Sequence, residues 1–203
     1  MIWLCVFILM LAESCLAQTE QALFGRYTVS TNLGRQVAVQ YKIEGEYAYF
    51  LFEKKAPGFL AFGIGKSMNS ADIVKIEKVG LTVRLTDCYL AGHAAPKCSN
   101  ASQRWELVRR NQTAAYITRD NYLKVEIRRL LSSPSDPPQC QPIRRGLNNF
   151  IFSYTTTDLL VKHNRNGYFG SVPIDLSQFG VQVDSQSSAL MVQSVLILIA
   201  VFL

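Results

Sequence analysis

The chain contains few of the residues from which most catalytic sites are built. It has only two histidines, His93 and His163, among 203 residues, and histidine is the usual proton donor and acceptor near neutral pH. A nucleophile elbow, a phosphate-binding glycine loop and a zinc-ligand signature are all missing from the sequence. Asp87, His93 and Cys98 do not have the spacing of metal ligands if the cysteine forms a disulfide. These absences argue against an enzyme.

Sustained helical periodicity is also missing between the two apolar ends of the chain. Short segments that alternate apolar and polar residues take its place, as in the run from Val37 to Ile43. Roughly nine or ten such segments separated by turns predict an all-β fold, a two-sheet antiparallel β-sandwich of the immunoglobulin-like kind. The predicted strands are 37–43, 47–52, 59–64, 72–77, 81–87, 104–108, 113–118, 122–129, a face of Phe150, Phe152 and Tyr154, and a face of Val172, Ile174 and Leu176.

The N-terminal segment lacks the early Lys or Arg that a signal peptide usually has. In other respects residues 1–17 fit that description, because they form an apolar run that ends with the small residues Cys15 and Ala17 at the −3 and −1 positions. The sequence therefore predicts a signal peptide over 1–17, removed on secretion.

The C-terminal apolar run is shorter than the roughly 20 residues that a membrane-spanning helix needs. It covers 189–203, is interrupted by two polar residues, and has no Lys or Arg after it. Small residues, a polar spacer and a terminal apolar tail are typical of a glycosylphosphatidylinositol (GPI) attachment signal. We expect residues 185–203 to be this signal, and the mature protein to lie on the extracellular side of the plasma membrane. Ser185 is the preferred attachment residue, Ser187 and Ser188 are alternatives, and a short tail anchor or an amphipathic end is the competing interpretation.

The remaining segment, 18–184, has the length of a single domain. Only Glu13 is lost among charged residues, so 21 Lys and Arg face 14 Asp and Glu, a balance of +7. Such a balance favours acidic partners, for example anionic lipid, sulfated glycans or an acidic redox protein. No dense basic run interleaved with aromatic residues is present, so nucleic acid is not expected as a partner.

Cysteine usage and glycosylation triplets agree with an oxidising compartment. Removal of the signal peptide leaves Cys88, Cys98 and Cys140, and we expect a disulfide between the first two. Cys140 would then be free, buried or bonded to another chain. Asn100 and Asn111 open Asn-x-Ser/Thr triplets and are predicted to carry glycans.

The order of the motifs resembles the DOMON domain family over roughly residues 35–177. The stretch from Gly58 to Val74 contains Gly-x-x-Met68-x-x-Ala-Asp72, which is similar to the central signature of that family. Downstream, Val125-Glu-Ile-Arg128-Arg-Leu-Leu resembles its arginine-bearing strand. Leu160-Val-Lys-His163-Asn-Arg-Asn-Gly resembles its histidine segment before the last strand.

The resemblance implies a b-type haem held by the axial ligands Met68 and His163, as in the cytochrome branch of the family. Two axial side chains leave no open position on the iron, so one-electron transfer is expected rather than bond chemistry. Phe62, Tyr168 and Phe169 are near these ligands in sequence and are expected to wall the ring. The family also implies an alternative, a haem-free module that binds sugar or protein in adhesion.

Two further residues are interpreted as structural. Asp72 is expected to be a capping or turn carboxylate rather than a metal ligand, and His93 is expected to be a surface residue.

Overall fold

The computed structural model describes most of the predicted domain and none of the two processing signals. The described residues are Phe24, Tyr27, 29–55, 57–67, 70–91, 97–99, 104–110, 112–119, 121–131, 141–156 and 167–177. The predictions for 1–17, 185–203, Asn100, Asn111 and Cys140 lie outside these residues. None of the described segments forms a helix long and apolar enough to cross a membrane.

All regular secondary structure in the described residues consists of strands, as the alternating segments predict. The strands are β1 (Val29–Asn32), β2 (Val37–Glu44), β3 (Tyr47–Lys54), β4 (Leu60–Ser67), β5 (Ser70–Val79), β6 (Thr82–Ala91), β7 (Lys97–Ser99), β8 (Trp105–Leu107), β9 (Arg109–Arg110), β10 (Thr113–Ala114), β11 (Tyr116–Arg119), β12 (Tyr122–Leu130), β13 (Leu147–Thr155) and β14 (Gly167–Asp175).

Two antiparallel six-stranded sheets account for most of these strands. The first sheet has the order β1-β2-β3-β12-β11, with β8 also paired to β12. The second sheet has the order β14-β13-β4-β5-β6-β7, and β9 and β10 form a separate two-stranded ribbon. The predicted all-β class and two-sheet sandwich are therefore confirmed. The sequence did not predict β1, β7 or β9, because segments of two to four residues are too short to show a period.

The core lies between the two sheets, and alternation along each strand determines which residues reach it. In β12, Leu123, Val125 and Ile127 point inward to meet Phe62 and Val74 of the second sheet. Large aromatic rings fill the centre: Phe50, Phe52, Phe62, Trp105, Phe150 and Tyr154 are all fully buried.

The outer face of the first sheet is covered by its own neighbouring segments. Phe24, Leu51, Val108 and Ala115 form a buried cluster there. Beside them, the fully buried Glu126 accepts hydrogen bonds from the Tyr27 hydroxyl at 2.6 Å and from Arg110 Nη2 at 2.8 Å. This sheet therefore has no open apolar face within the described residues.

Candidate ligand-binding face and the charged network behind it

The central part of the outer face of the second sheet is apolar and buried. Its buried residues form a cluster separate from the main core, with Phe59 packed at its edge. Every member of the cluster is at most 9% exposed, although the main core lies on the other side of the sheet. The members are Ala61, Ala71, Ile73, Cys88, Leu90 and Ile151. We call this surface the outer apolar face.

Small residues of β4 keep the middle of the outer apolar face flat. Because Phe62 and Ile64 point into the core, Ala61, Gly63 and Gly65 are the residues of β4 on the outer side. A Cβ at Gly65 would lie 2.7 Å from the Cβ of Ala71, and one at Gly63 would overlap the backbone of β5. The strands therefore approach each other in a way that only glycine allows, and the face carries no bulky side chain along this line.

The interior of the sandwich has no comparable room for a ligand, because aromatic rings occupy it. Phe62 stacks on Phe150 with a centroid distance of 4.8 Å and lies 5.2 Å from Phe50. The expectation that Phe62 walls a haem is therefore wrong, since inward alternation on β4 sends its ring to the core. Tyr168 stacks on Tyr154 at 5.1 Å but is still 45% exposed on the edge strand β14. Phe169 is 68% exposed, and alternation places it on the opposite side of β14 from Tyr168.

Met68 and His163 lie outside the described residues, but the strands that lead to them are described. Met68 follows Ser67, the last residue of β4, and His163 precedes Gly167, the first residue of β14. The register pairs Gly167 with Thr155, whereas Ser67 is near the level of Leu147 at the start of β13. These two anchor points therefore lie at opposite ends of the second sheet, about 26 Å apart along the strands.

The predicted disulfide is present and lies midway along the second sheet, because Cys88 pairs with Ile73 and Ile73 pairs with Gly63. Cys88 of β6 and Cys98 of β7 are bonded with an S–S distance of 2.03 Å. The segment that contains His93, which is outside the described residues, starts after Ala91, and Ala91 pairs with Ser70 of β5. The anchors of His93 are therefore closer to Met68 than those of His163.

A buried ion pair connects the two sheets just behind the β4–β5 turn. Arg129 of β12 and Asp72 of β5 are 2.8 Å apart from Nη2 to Oδ2, and both side chains are almost completely buried. The guanidinium lies over the ring of Trp105 at 5.4 Å. Asp72 is thus neither a cap nor a turn carboxylate, as we had interpreted it, but half of a contact between the sheets.

Gln141 extends this network to the β4–β5 turn itself. Arg129 Nη2 donates a hydrogen bond to the Gln141 backbone oxygen at 2.9 Å. The side-chain Nε2 of Gln141 in turn donates to Ser70 Oγ at 3.1 Å. The turn that carries Met68 is therefore held from Ser70 and from Asp72. Arg129, Asp72, Gln141 and Ser70 are referred to below as the Arg129 network.

A second buried carboxylate, Asp87, faces the same interior from β6. Burial raises its pKa to about 6, and the negative charge of Asp72 acts in the same direction. Backbone N–H groups of Arg104 and Trp105 donate to its carboxylate and partly oppose this rise in pKa. Asp87 therefore ties the start of β8 to β6 while its charge is partly suppressed near neutral pH.

Sequence reasoning identified the arginine-bearing strand but not the arginine that faces the interior. Arg128 and Arg129 point to opposite faces, and Arg128 pairs with the exposed Glu106 at 2.8 Å. Leu123, Val125 and Ile127 alternate along one face of this strand, and the same alternation extended by one step places Arg129 in the core. Within the described residues, no group of three or more His, Cys, Asp or Glu side chains is close enough to hold a metal ion.

Comparison with known proteins gives both a family and a fold. The sequence model of the DOMON domain matches residues 33–155, a range that includes Met68 and ends before His163. Among solved structures, the cytochrome domain of Myriococcum thermophilum cellobiose dehydrogenase is similar, with a TM-score of 0.54 and 9% identity. The match covers 75% of this chain and 84% of that one. The cytochrome b domain of pyranose dehydrogenase from Coprinopsis cinerea is also similar, with a TM-score of 0.50, 15% identity, and 66% and 76% covered. No curated protein sequence matches the chain.

Proposed function

The chain belongs to the DOMON domain family, and on that premise we propose that it binds a b-type haem on the outer apolar face and passes single electrons outside the cell. The two similar structures are cytochrome domains, which supports this branch of the family for the present chain. In this proposal the protein is an electron-transfer module and not an enzyme.

The observation that carries the proposal is the outer apolar face itself. A haem ring needs a flat, apolar surface that excludes water, and this face offers buried aliphatic side chains around Gly63 and Gly65. The core between the sheets is already filled by aromatic rings, which supports the outer side over the interior as the proposed location.

Met68 and His163 are the proposed axial ligands, one from each end of the outer apolar face. His163 is four residues from Gly167 and can lie up to about 14 Å from it, and Met68 is one residue from Ser67. If both segments extend fully toward each other, the two Cα atoms come within about 10 Å, a gap that the two side chains together can bridge. This requires residues 163–167 to run back along the face. Ligation by a thioether and an imidazole would give the iron a raised reduction potential and no open coordination position.

We further propose that the domain acts at the cell surface, secreted through the signal peptide and tethered at Ser185 by a GPI anchor. Its positive charge would favour an acidic redox partner, whose identity the chain does not encode. Phosphatidylinositol-specific phospholipase should release the mature protein from intact cells and leave it without its C-terminal apolar run. Retention on the surface with that run intact would rule out the GPI anchor.

An absorbance spectrum of the secreted domain, expressed with haem supplied, tests the haem proposal. We expect a Soret band with sharp low-spin bands in the reduced state, and loss of those low-spin bands in Met68→Ala and in His163→Ala. His93→Ala is the matched control, since it removes the other histidine of the chain, and it should leave the spectrum unchanged.

Two results would contradict parts of this proposal. Loss of the low-spin bands in His93→Ala but not in His163→Ala would transfer the ligand role to the histidine whose anchors lie closer to Met68. A colourless protein at full haem supply would overturn haem binding altogether and favour the haem-free adhesion module.

A further inference from the structure

We propose that Arg129 is a positioning residue for Met68, because its guanidinium fixes the β4–β5 turn from inside the sandwich. This inference rests on the proposed function, in which Met68 is an iron ligand. It concerns residues that do not touch the ligand, and all members of the Arg129 network lie within the described residues.

The first step is the shape of the turn. Ser67 and Ser70 are register partners across β4 and β5, and the regular pairing shifts between Ile64 and Ser67. A β-bulge at this place redirects the strand end, so regular pairing in the sheet does not by itself determine where the turn points. Contacts from outside the hairpin are needed to fix it.

The second step is that the Arg129 network supplies two such contacts. Asp72 lies two residues beyond Ser70 and pairs with Arg129 at 2.8 Å, while Ser70 Oγ accepts from Gln141 at 3.1 Å. Gln141 is itself held, because its backbone oxygen accepts from Arg129 at 2.9 Å. A single guanidinium thus holds the turn directly through Asp72 and indirectly through Gln141.

The third step is that the surrounding strands and the Trp105 ring hold the guanidinium in place. Arg129 lies near the end of β12 and pairs in register with Ala48 on one side and Trp105 on the other. Arg129 is only 2% exposed, and its guanidinium lies against the fully buried ring of Trp105. The turn on one sheet is therefore connected to a residue of the other sheet whose strand has a paired neighbour on each side.

The chemical consequence concerns the weaker of the two proposed ligands. A thioether is neutral and has no charge to hold it on a metal, so its bond depends on where the protein places it. Loosening the turn should therefore affect the Met68 bond before it affects the fold.

Two variants that keep the fold test this role. Gln141→Ala removes one contact without burying a charge. Asp72→Leu with Arg129→Met removes the ion pair together with the bond from Arg129 to the Gln141 backbone oxygen, leaves the net charge unchanged and avoids an unpaired buried ion. Arg128→Met is the matched control, since it makes the same change one residue away on the solvent-facing side.

The readouts are the midpoint potential, carbon monoxide binding by the ferrous protein, and amide hydrogen exchange of residues 70–74 in the haem-free protein. In both network variants we expect a lower potential, new carbon monoxide binding where the thioether has left the iron, and about five-fold faster exchange at these amides. The Arg128→Met variant should match wild type in all three.

The outcomes separate this inference from the proposed function. If wild type holds low-spin haem and both network variants keep its potential and still exclude carbon monoxide, the inference is wrong and the proposed function stands. If wild type binds no haem, the proposed function is wrong, and unchanged amide exchange in the network variants would then overturn the mechanical part of the inference as well.

Discussion

Asp72 and Arg129 form an ion pair with a 2.8 Å Nη2–Oδ2 distance across the interior of the sandwich. The pair joins β5 of one sheet to β12 of the other, behind the turn that leads to Met68. Since each partner is almost completely buried, the loss of one partner has a much larger cost than an exposed pair would have.

Removing only the arginine of this pair should destabilise the domain strongly. We expect Arg129→Met to lower the free energy of unfolding by about 3–5 kcal/mol, because Asp72 would remain as a buried unpaired charge. Denaturant unfolding followed by Trp fluorescence measures the difference. The control Arg128→Met breaks a half-exposed pair with Glu106 and should cost about 1 kcal/mol or less. Equal losses in the two variants would contradict the structural difference between these neighbours.

Asp87 should make the stability of the domain fall as the pH rises. Its pKa is raised to about 6 by burial and by Asp72, so the folded state binds the proton more tightly than the unfolded chain does. This contribution is fully present below about pH 4 and is lost as the pH rises through 6, for a total of at most about 3 kcal/mol.

Unfolding measured at pH 4 and pH 7 in wild type and Asp87→Asn tests the Asp87 contribution. Relative to the variant, wild type should lose stability over this interval. Glu77 provides the opposite case, because its pKa is lowered in the folded state. Burial alone would raise this pKa, but hydrogen bonds from Lys75 and Arg84 stabilise the carboxylate and lower it. Glu77→Gln should therefore remove stability that wild type gains as the pH rises. If the free energy of unfolding depends on pH in the same way in wild type and in Asp87→Asn, the prediction for Asp87 is wrong.

Gly63 should tolerate no side chain, even though it lies on an outer surface. A methyl group there would overlap the backbone of Asp72 and Ile73, so we expect Gly63→Ala to cost about 3 kcal/mol. Gly80→Ala is the comparison, since a Cβ there meets nothing within 4 Å and only the positive φ of 61° is strained, which costs about 1 kcal/mol. A thermal shift for Gly63→Ala no larger than that for Gly80→Ala would be inconsistent with the close approach of β4 and β5.

Tyr27 should contribute to stability through its hydroxyl. It donates to the fully buried Glu126 at 2.6 Å, and burial together with that carboxylate raises the pKa of the phenol. We expect Tyr27→Phe to cost about 1.5–3 kcal/mol, as for other hydrogen bonds to charged groups. Tyr41→Phe, on the half-buried part of β2, should cost less than about 0.5 kcal/mol. Equal unfolding midpoints for the two variants would mean that the Tyr27 hydroxyl bond adds nothing.

The long strands were predictable because their burial repeats with a period of two. In β3 and β12 every second residue is buried in the core, with Leu123, Val125 and Ile127 among them. Leu51 and Glu126 interrupt the alternation because they are buried on the covered outer side of the same sheet. The short strand β7 is fixed instead by its pairing with β6 and by the disulfide. Contacts between residues distant in sequence are not encoded in local periodicity.

The candidate site was less predictable, because proximity in sequence was a poor guide to which side of a sheet a residue faces. Phe62 is six residues from Met68, yet alternation sends its ring into the core. Asp72 reads as a turn residue in sequence, and its inter-sheet role depends on an arginine 57 positions later in the sequence. Charge pairing across a sandwich requires the packing of both sheets, which only the structure provides.

The aromatic filling of the interior has a consequence for how the domain could lose and regain a ligand. Because Phe50, Phe62 and Phe150 complete the core by themselves, the scaffold does not need a cofactor as a packing element. Ligand exchange on the outside can then proceed without opening the sandwich. Haem-carrying and haem-free versions of such a scaffold would differ on one surface and share the same cooperative unfolding unit.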